Sequence, residues 1–295
     1  MTAETSVVPN ADLSNWGRWG RADERGTLNL MTPDKVVEAA RLIRTGHIYR
    51  LAIPIALKHS SPLRAGCFHC TSLRKDATAS RRTVALDVIT MDTHNFTHMD
   101  SLAHVGYGER FYNDVPTDAV TFDGAQKNSI DNVTAIAGRA VLLDIPRALG
   151  VERLEAGRAI GPGDLDRAVA HACVTVRPGD ILLVRTGWIR DYLADANVAR
   201  KGSPGLGEAT VAWLRQRDVC AVCADNPAVE VLPPERSDRS LILHEQFIRD
   251  LGGYLVEFLD LEEIAAAGVR EGFFVMAPLR IVGGLGSPVT PLLMV

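Results

Sequence analysis

No stretch of the 295-residue chain approaches the roughly 20 consecutive apolar residues of a membrane-spanning helix, so no membrane partner is expected. Charge of one sign is missing too. The 32 lysines and arginines against 36 aspartates and glutamates leave a net charge of -4. That balance gives no electrostatic reason to expect nucleic acid or an anionic surface as partner. The opening stretch MTAETSVVPNADLSNWG has neither a basic n-region nor an apolar h-region, so it does not read as a secretory signal. The expectation is a soluble, cytoplasmic protein.

Cysteine is sparse and odd in number, with five thiols in the whole chain. A chain this long does not depend on disulfides for its core. Cys67 with Cys70 and Cys220 with Cys223 have CxxC spacing. A zinc ribbon wants its second pair about 15–20 residues from the first, and these pairs lie much further apart. DVCAVCADNP reads instead as a buried strand in which cysteine serves as a small hydrophobe. Internal repeats, low-complexity tracts and a Pro/Ser-rich linker are absent as well. That favours one domain, residues 46–295, behind an N-terminal extension and helix, residues 1–45.

What is present suits a packed core: 46% hydrophobic against 23% charged residues. TPDKVVEAARLIRTG has a Thr-Pro start, apolar residues at helical spacing and a glycine stop, so it predicts a helix. TVALDVITMD alternates and is β-branched, which predicts a strand running straight into the residues that follow it. AVLLDI, DILLVRTGW and VCAVCAD are short apolar runs of the buried-strand kind. Helical patterns, GPGDLDRAVAHA and GLGEATVAWLRQRD, lie between them. YLVEFLDLEEIAAAG runs from a strand into a short helix that Gly268 can cap. The last block, FFVMAPLRIVGGLGSPVTPLLMV, reads as a closing strand and a Gly/Pro-rich tail. Strands alternating with helices predict an α/β fold with a mixed sheet.

Histidine is scarce, eight in all, yet three fall within DTHNFTHMDSLAH as His94, His98 and His104, with Asp100 among them. On a strand, His94, His98 and Asp100 would share a face; on a helix, His94 and His98 would be neighbours. Either geometry offers two imidazoles and a carboxylate to one divalent ion, a set that suits zinc, manganese or iron(II) better than calcium or magnesium. The plainer alternative is a polar turn whose histidines are bonded separately. An HExxH site fails elsewhere, because His244-Glu245 is followed by Ile248 where the second histidine belongs. On a strand Phe96 would project beside the ligands. Trp16 and Trp19 are costly to leave exposed, and are candidates to line the substrate site, to cover a subunit interface, or simply to pin the extension to the core.

HNFTHMDSLAH resembles the signature His-x-Gly-Thr-His-x-Asp-x-Pro-x-His of the metal-dependent cyclase-like hydrolases, the family of bacterial kynurenine formamidase and isatin hydrolase. It keeps His94, Thr97, His98, Asp100 and His104, with Phe96 for the glycine and Leu102 for the proline. NWGRWGRADERGTLNLMTP, LLVRTGW, ADNPAVEVLPPE, HEQFIRDLGGYLVEFLDLEE and FFVMAPLRIVGGLGSP are similar to blocks of a longer-chain branch. The resemblance implies a swivelling β/β/α domain, a mixed sheet with flanking helices, assembled as a homodimer or homotetramer. It implies zinc or manganese, one or two ions per chain. His94, His98 and Asp100 match the first ligands, and His244 and Glu257 match the pair that completes a second site, with Asp100 bridging. The implied activity is hydrolysis of a C–N bond (amide, formamide or lactam) in a small carbonyl compound, with His104 as general base. Alternatives are a polyketide-type cyclase, a lactone hydrolase, or a non-catalytic metal- or ligand-binding relative.

Overall fold

The apolar runs of the middle of the chain lie side by side, as runs buried on both faces must. A computed structural model describes residues 13–78 and 80–295; the outer part of the N-terminal extension, residues 1–12, lies outside the described residues. Strands in the first half of the chain are β1 (Ile48–Arg50), β2 (Phe68–Lys75), β3 (Thr83–Thr90), β4 (His98–Asp100), β5 (Val120–Thr121), β6 (Gly124–Ala125) and β7 (Ile136–Asp144). The second half adds β8 (Ala159–Ile160), β9 (Ile181–Arg185), β10 (Gly205–Leu206), β11 (Ala221–Ala224), β12 (Tyr254–Glu257), β13 (Glu271–Met276), β14 (Gly286–Pro288) and β15 (Leu292–Met294). One nine-stranded mixed sheet runs β1-β15-β13-β7-β9-β11-β12-β4-β14.

Its centre, β7, β9, β11 and β12, is parallel, and the flanking strands are antiparallel. Every residue of β9, β11 and β12 is buried. Cys220 and Cys223 are buried free thiols there, the small-hydrophobe role expected of them. The helices Pro162–Ala172 and Thr210–Gln216 link the parallel strands, as parallel pairing requires. This is the mixed α/β fold the sequence predicts. No helix among the described residues is long and apolar enough to cross a membrane.

Three local expectations change. The first helix spans only Pro33–Ala40, capped by Thr32, because Thr45 and Gly46 turn their amides to the Val295 carbonyl and leave the helical path. The strand TVALDVIT does not run on into the histidines. It ends at Thr90 and pairs with β2 alone in a hairpin outside the main sheet. A turn intervenes before β4 starts at His98. The Gly/Pro-rich tail contributes β14 and β15, one at each side of the sheet.

Candidate metal centre

The chemistry of residues 94–104 begins with a turn. Asp92 accepts the His94 amide at 2.8 Å, and Phe96 takes a left-handed φ of 60°. That conformation favours glycine, which is the residue of the related signature at this place. The Asn95 side chain holds the turn from beneath, accepting from the Ser61 amide and donating to the Ser60 hydroxyl and the Ala65 carbonyl. Thr97 then staples the chain to the sheet: its hydroxyl donates to the Phe258 carbonyl at 2.6 Å and accepts the Ile53 amide at 2.9 Å.

Next, β4 enters the sheet between β12 and β14, with His98 opposite Glu257 and Asp100 opposite Gly286. Sheet register, not sequence proximity, therefore makes His98 and Glu257 neighbours. Gly286 faces His94 so closely that a β-carbon there would lie 2.5 Å from the ring Cε1. Any side chain at this place would push His94 out of the cluster.

Five of the sequence-derived residues meet here with His104. His98 Nε2 lies 3.4 Å from Glu257 Oε2 and 3.6 Å from Asp100 Oδ1. His244 Nε2 lies 3.2 Å from Glu257 Oε1 and 3.7 Å from Asp100 Oδ2. His94 Nδ1 donates to Asp100 Oδ1 at 2.9 Å, and His104 Nε2 stands 3.9 Å from the same oxygen. Two groups of metal-binding composition result, His94–Asp100–His104 and His98–Asp100–Glu257, with Asp100 in both.

The residues fit a divalent ion. Among the described residues, His98 Nε2, Asp100 Oδ2 and Glu257 Oε2 are buried polar atoms without a hydrogen-bond partner. An uncompensated buried charge costs several kcal/mol, so orphaned carboxylate oxygens call for a cation. Two ligand atoms on a tetrahedral zinc, each at about 2.1 Å, sit roughly 3.4 Å apart. The separations above bracket that spacing. His98 is also set up in the needed tautomer, since its Nδ1–H donates to the Phe96 carbonyl at 2.9 Å and leaves Nε2 facing the carboxylates.

Electrostatics follow from burial and from the mixture of charges. For Asp100, burial alone would raise the carboxyl pKa, but the surrounding His104, His94 and His98 hold it far below the ordinary range. Burial alone would lower His94 and His244. Asp100 raises the first, and Glu230 with Glu257 raises the second to about 10. Burial pulls His104 down to about 4, and the neighbouring imidazoles add to this against the pull of Asp100. The cluster is most open at His104. The His104 side chain is 19% exposed and stacks on His94 at 4.0 Å between ring centroids, whereas His98 is 1% exposed.

Phe96 is buried with Trp188, Tyr192 and Phe258, because the left-handed turn reverses the strand parity that would have aimed it beside the ligands. Trp16 fastens the extension to the end of the 245–250 helical turn, donating to the Arg249 carbonyl at 2.7 Å under that residue's guanidinium. Trp19 lies beneath the Arg18 guanidinium. None of the described contacts of the two tryptophans reaches the cluster.

Glu230 is the residue that sequence reasoning missed. It is buried, and it accepts from His244 Nδ1 at 2.5 Å and from the His244 amide at 3.2 Å. Carboxylates placed behind an imidazole in this way fix its tautomer and raise its basicity as a ligand. No spacing rule could have found it, since a long loop separates Glu230 from His244. Glu230→Gln is expected to weaken divalent-metal binding by about 10–100-fold with little change in the thermal unfolding of the metal-free chain. Competition against a chromophoric chelator checks this, and unchanged affinity would return Glu230 to a purely structural role.

A mixed α/β sheet carrying a buried imidazole–carboxylate cluster on the strands at one of its edges defines a class, an α/β protein with a site of metal-binding composition. The chain belongs to the Cyclase family, whose model, described as "Putative cyclase", matches residues 29–231. A crystal structure described as a novel cyclase is 36% identical, with a TM-score of 0.90 over 98% of this chain and 99% of its own. Isatin hydrolase A from Labrenzia aggregata, solved with benzyl benzoate, shares the fold at 19% identity and a TM-score of 0.62, over 89% of this chain and 98% of its own. A structure described as a predicted metal-dependent hydrolase from Bacillus stearothermophilus is 19% identical with a TM-score of 0.52, over 85% of this chain and 98% of its own. Comparison with curated proteins yields no match.

Proposed function

We propose that the chain is a metal-dependent hydrolase that opens a C–N bond (amide, formamide or lactam) of a small carbonyl compound. The observation that carries this reading is the convergence of orphaned buried atoms from His98, Asp100 and Glu257 beneath a His104 ring that reaches solvent. His94, His98, Asp100, His244 and Glu257 would hold zinc or manganese, one or two ions per chain, with Asp100 shared. When bound, such an ion supplies Lewis acidity, polarising a carbonyl and acidifying water.

The remaining work belongs to the protein. Glu230 and the Phe96 carbonyl orient the His244 and His98 rings, so that each presents Nε2 inward. Burial of Asp100 and Glu257 keeps bulk water from screening them. His104, held neutral by its buried surroundings, accepts the proton of an attacking water at Nε2 and returns it to the departing nitrogen. A pure metal carrier has no use for that imidazole on the open side. The likeness to an isatin hydrolase supports a lactam or a related cyclic amide as substrate.

Metal-loaded protein assayed against isatin, an aryl formamide and a simple lactone tests the proposal. Ring opening of isatin or deformylation, abolished by a chelator and restored by metal, is the expected result. Turnover of the lactone alone would move the activity to C–O bonds, and hydrolysis of none of the three would remove the proposal.

A further inference from the structure

We propose that Arg64 receives a carboxylate at the far end of the substrate, so that the preferred substrates are anionic formamides or lactams with an apolar body. The inference rests on the hydrolase reading and adds a substrate class to it. Arg64 lies in a loop, residues 57–66, that is packed against the turn presenting His94. Asn95, the neighbour of His94, accepts the Ser61 amide at 3.1 Å. It also donates to the Ser60 hydroxyl at 2.8 Å and to the Ala65 carbonyl at 3.1 Å. Tyr192 holds the loop from another direction, its hydroxyl donating to the His59 carbonyl at 2.8 Å.

Within that frame a tight turn puts Leu63 and Arg64 on the surface. The Leu63 amide donates to the Ser61 hydroxyl at 3.3 Å, and the Arg64 amide donates to the Ser61 carbonyl at 3.2 Å. Loops held on a rigid scaffold commonly carry binding residues. Leu63 is 54% exposed, and Arg64 is exposed beside it. Among the described residues the Arg64 guanidinium has no ion pair and no hydrogen bond. From Leu51 to Lys75 the chain has no aspartate or glutamate to neutralise it. Its charge reaches the metal centre all the same. The His94 imidazole is governed by burial first and then by Asp100 and Glu257, and Arg64 works against its protonation. His94 in turn stacks on His104 at 4.0 Å. The guanidinium therefore stands within electrostatic reach of the ring pair where the cluster is most open.

Arg64 is at the margin of the cluster and not among its ligands, so its part is to orient the substrate and not to act on the scissile bond. A planar guanidinium matches a carboxylate through two parallel hydrogen bonds. A few polar groups placed away from the reacting bond are what fixes the orientation of a small ligand. Leu63 beside it offers apolar surface to the body of such a molecule. A neutral formamide or lactam leaves Arg64 in water and forgoes that contact.

Comparison of formanilide with 3- and 4-formamidobenzoate on the zinc-loaded full chain tests the inference. On these rigid rings the carboxylate lies too far from the formyl group for one ion to hold both. Preference is read from kcat/KM where the probes turn over and from calorimetric Kd where they do not. The better carboxylate should be preferred over formanilide at least about fivefold, the gain of a well-formed ion pair at a surface. At equal zinc content Arg64→Gln should bring that ratio to one, Arg64→Glu should invert it, and Arg64→Lys should keep part of it. A wild-type ratio near one would overturn the inference. So would a preference that Arg64→Gln leaves intact, which puts the carboxylate on the ion, or a failure of all three probes to bind. Turnover is scored separately. A carboxylate probe that binds through Arg64 and is never hydrolysed would remove the hydrolase reading and uphold the anion site.

Discussion

His98→Ala is expected to fold and to lose its divalent metal. The ring it removes supplies one of the three orphaned atoms, and it is the imidazole opposite Glu257 in the sheet. Without it, the His98–Asp100–Glu257 group keeps only its two carboxylates, and a group short of three strong ligands holds zinc poorly. The loss in affinity should exceed the 10–100-fold typical of residues behind a ligand, and so exceed that of Glu230→Gln. Thermal unfolding supplies a second readout. Free metal at a hundred times its dissociation constant stabilises a folded protein by about 2.7 kcal/mol. The wild type should show that gain and His98→Ala should show none. A variant that keeps full occupancy would place the metal elsewhere.

His104→Ala should separate catalysis from binding. Its ring lies on the open side of the cluster, 3.9 Å from Asp100, and makes no direct hydrogen bond to the carboxylate. Removing it is expected to leave metal content intact while turnover falls by roughly 10²–10⁴-fold, the usual contribution of a positioned acid–base group. Metal and turnover must be measured on one sample. Loss of both would make His104 a ligand in the group it forms with His94 and Asp100. Retention of both would move the proton transfer to another residue.

These two experiments rest on features that differ in how visible they are in the sequence. The buried strands β9 and β11 were legible as apolar runs, because a strand covered on both faces has no polar alternation to lose. His94, His98, Asp100 and His104 were legible as a set because the ligand residues are local. Their geometry was not. Half of the motif is a turn through the left-handed Phe96, so the shared strand face holds only for His98 and Asp100. His244 and Glu257 came from resemblance alone, since the strand pairing that sets Glu257 beside His98 spans most of the chain. Glu230 and Gly286 carried no signal, because one acts across a loop and the other by lacking a side chain. The tail strands β14 and β15 are three residues each, too short for a period of two to show.

Elemental analysis of the wild-type chain, purified without chelators and then dialysed, tests the central claim most directly. The account predicts about one to two equivalents of zinc or manganese per chain, the ions that imidazole and carboxylate together favour. A chain that carries no divalent metal, and takes up none when zinc or manganese is added, would contradict it.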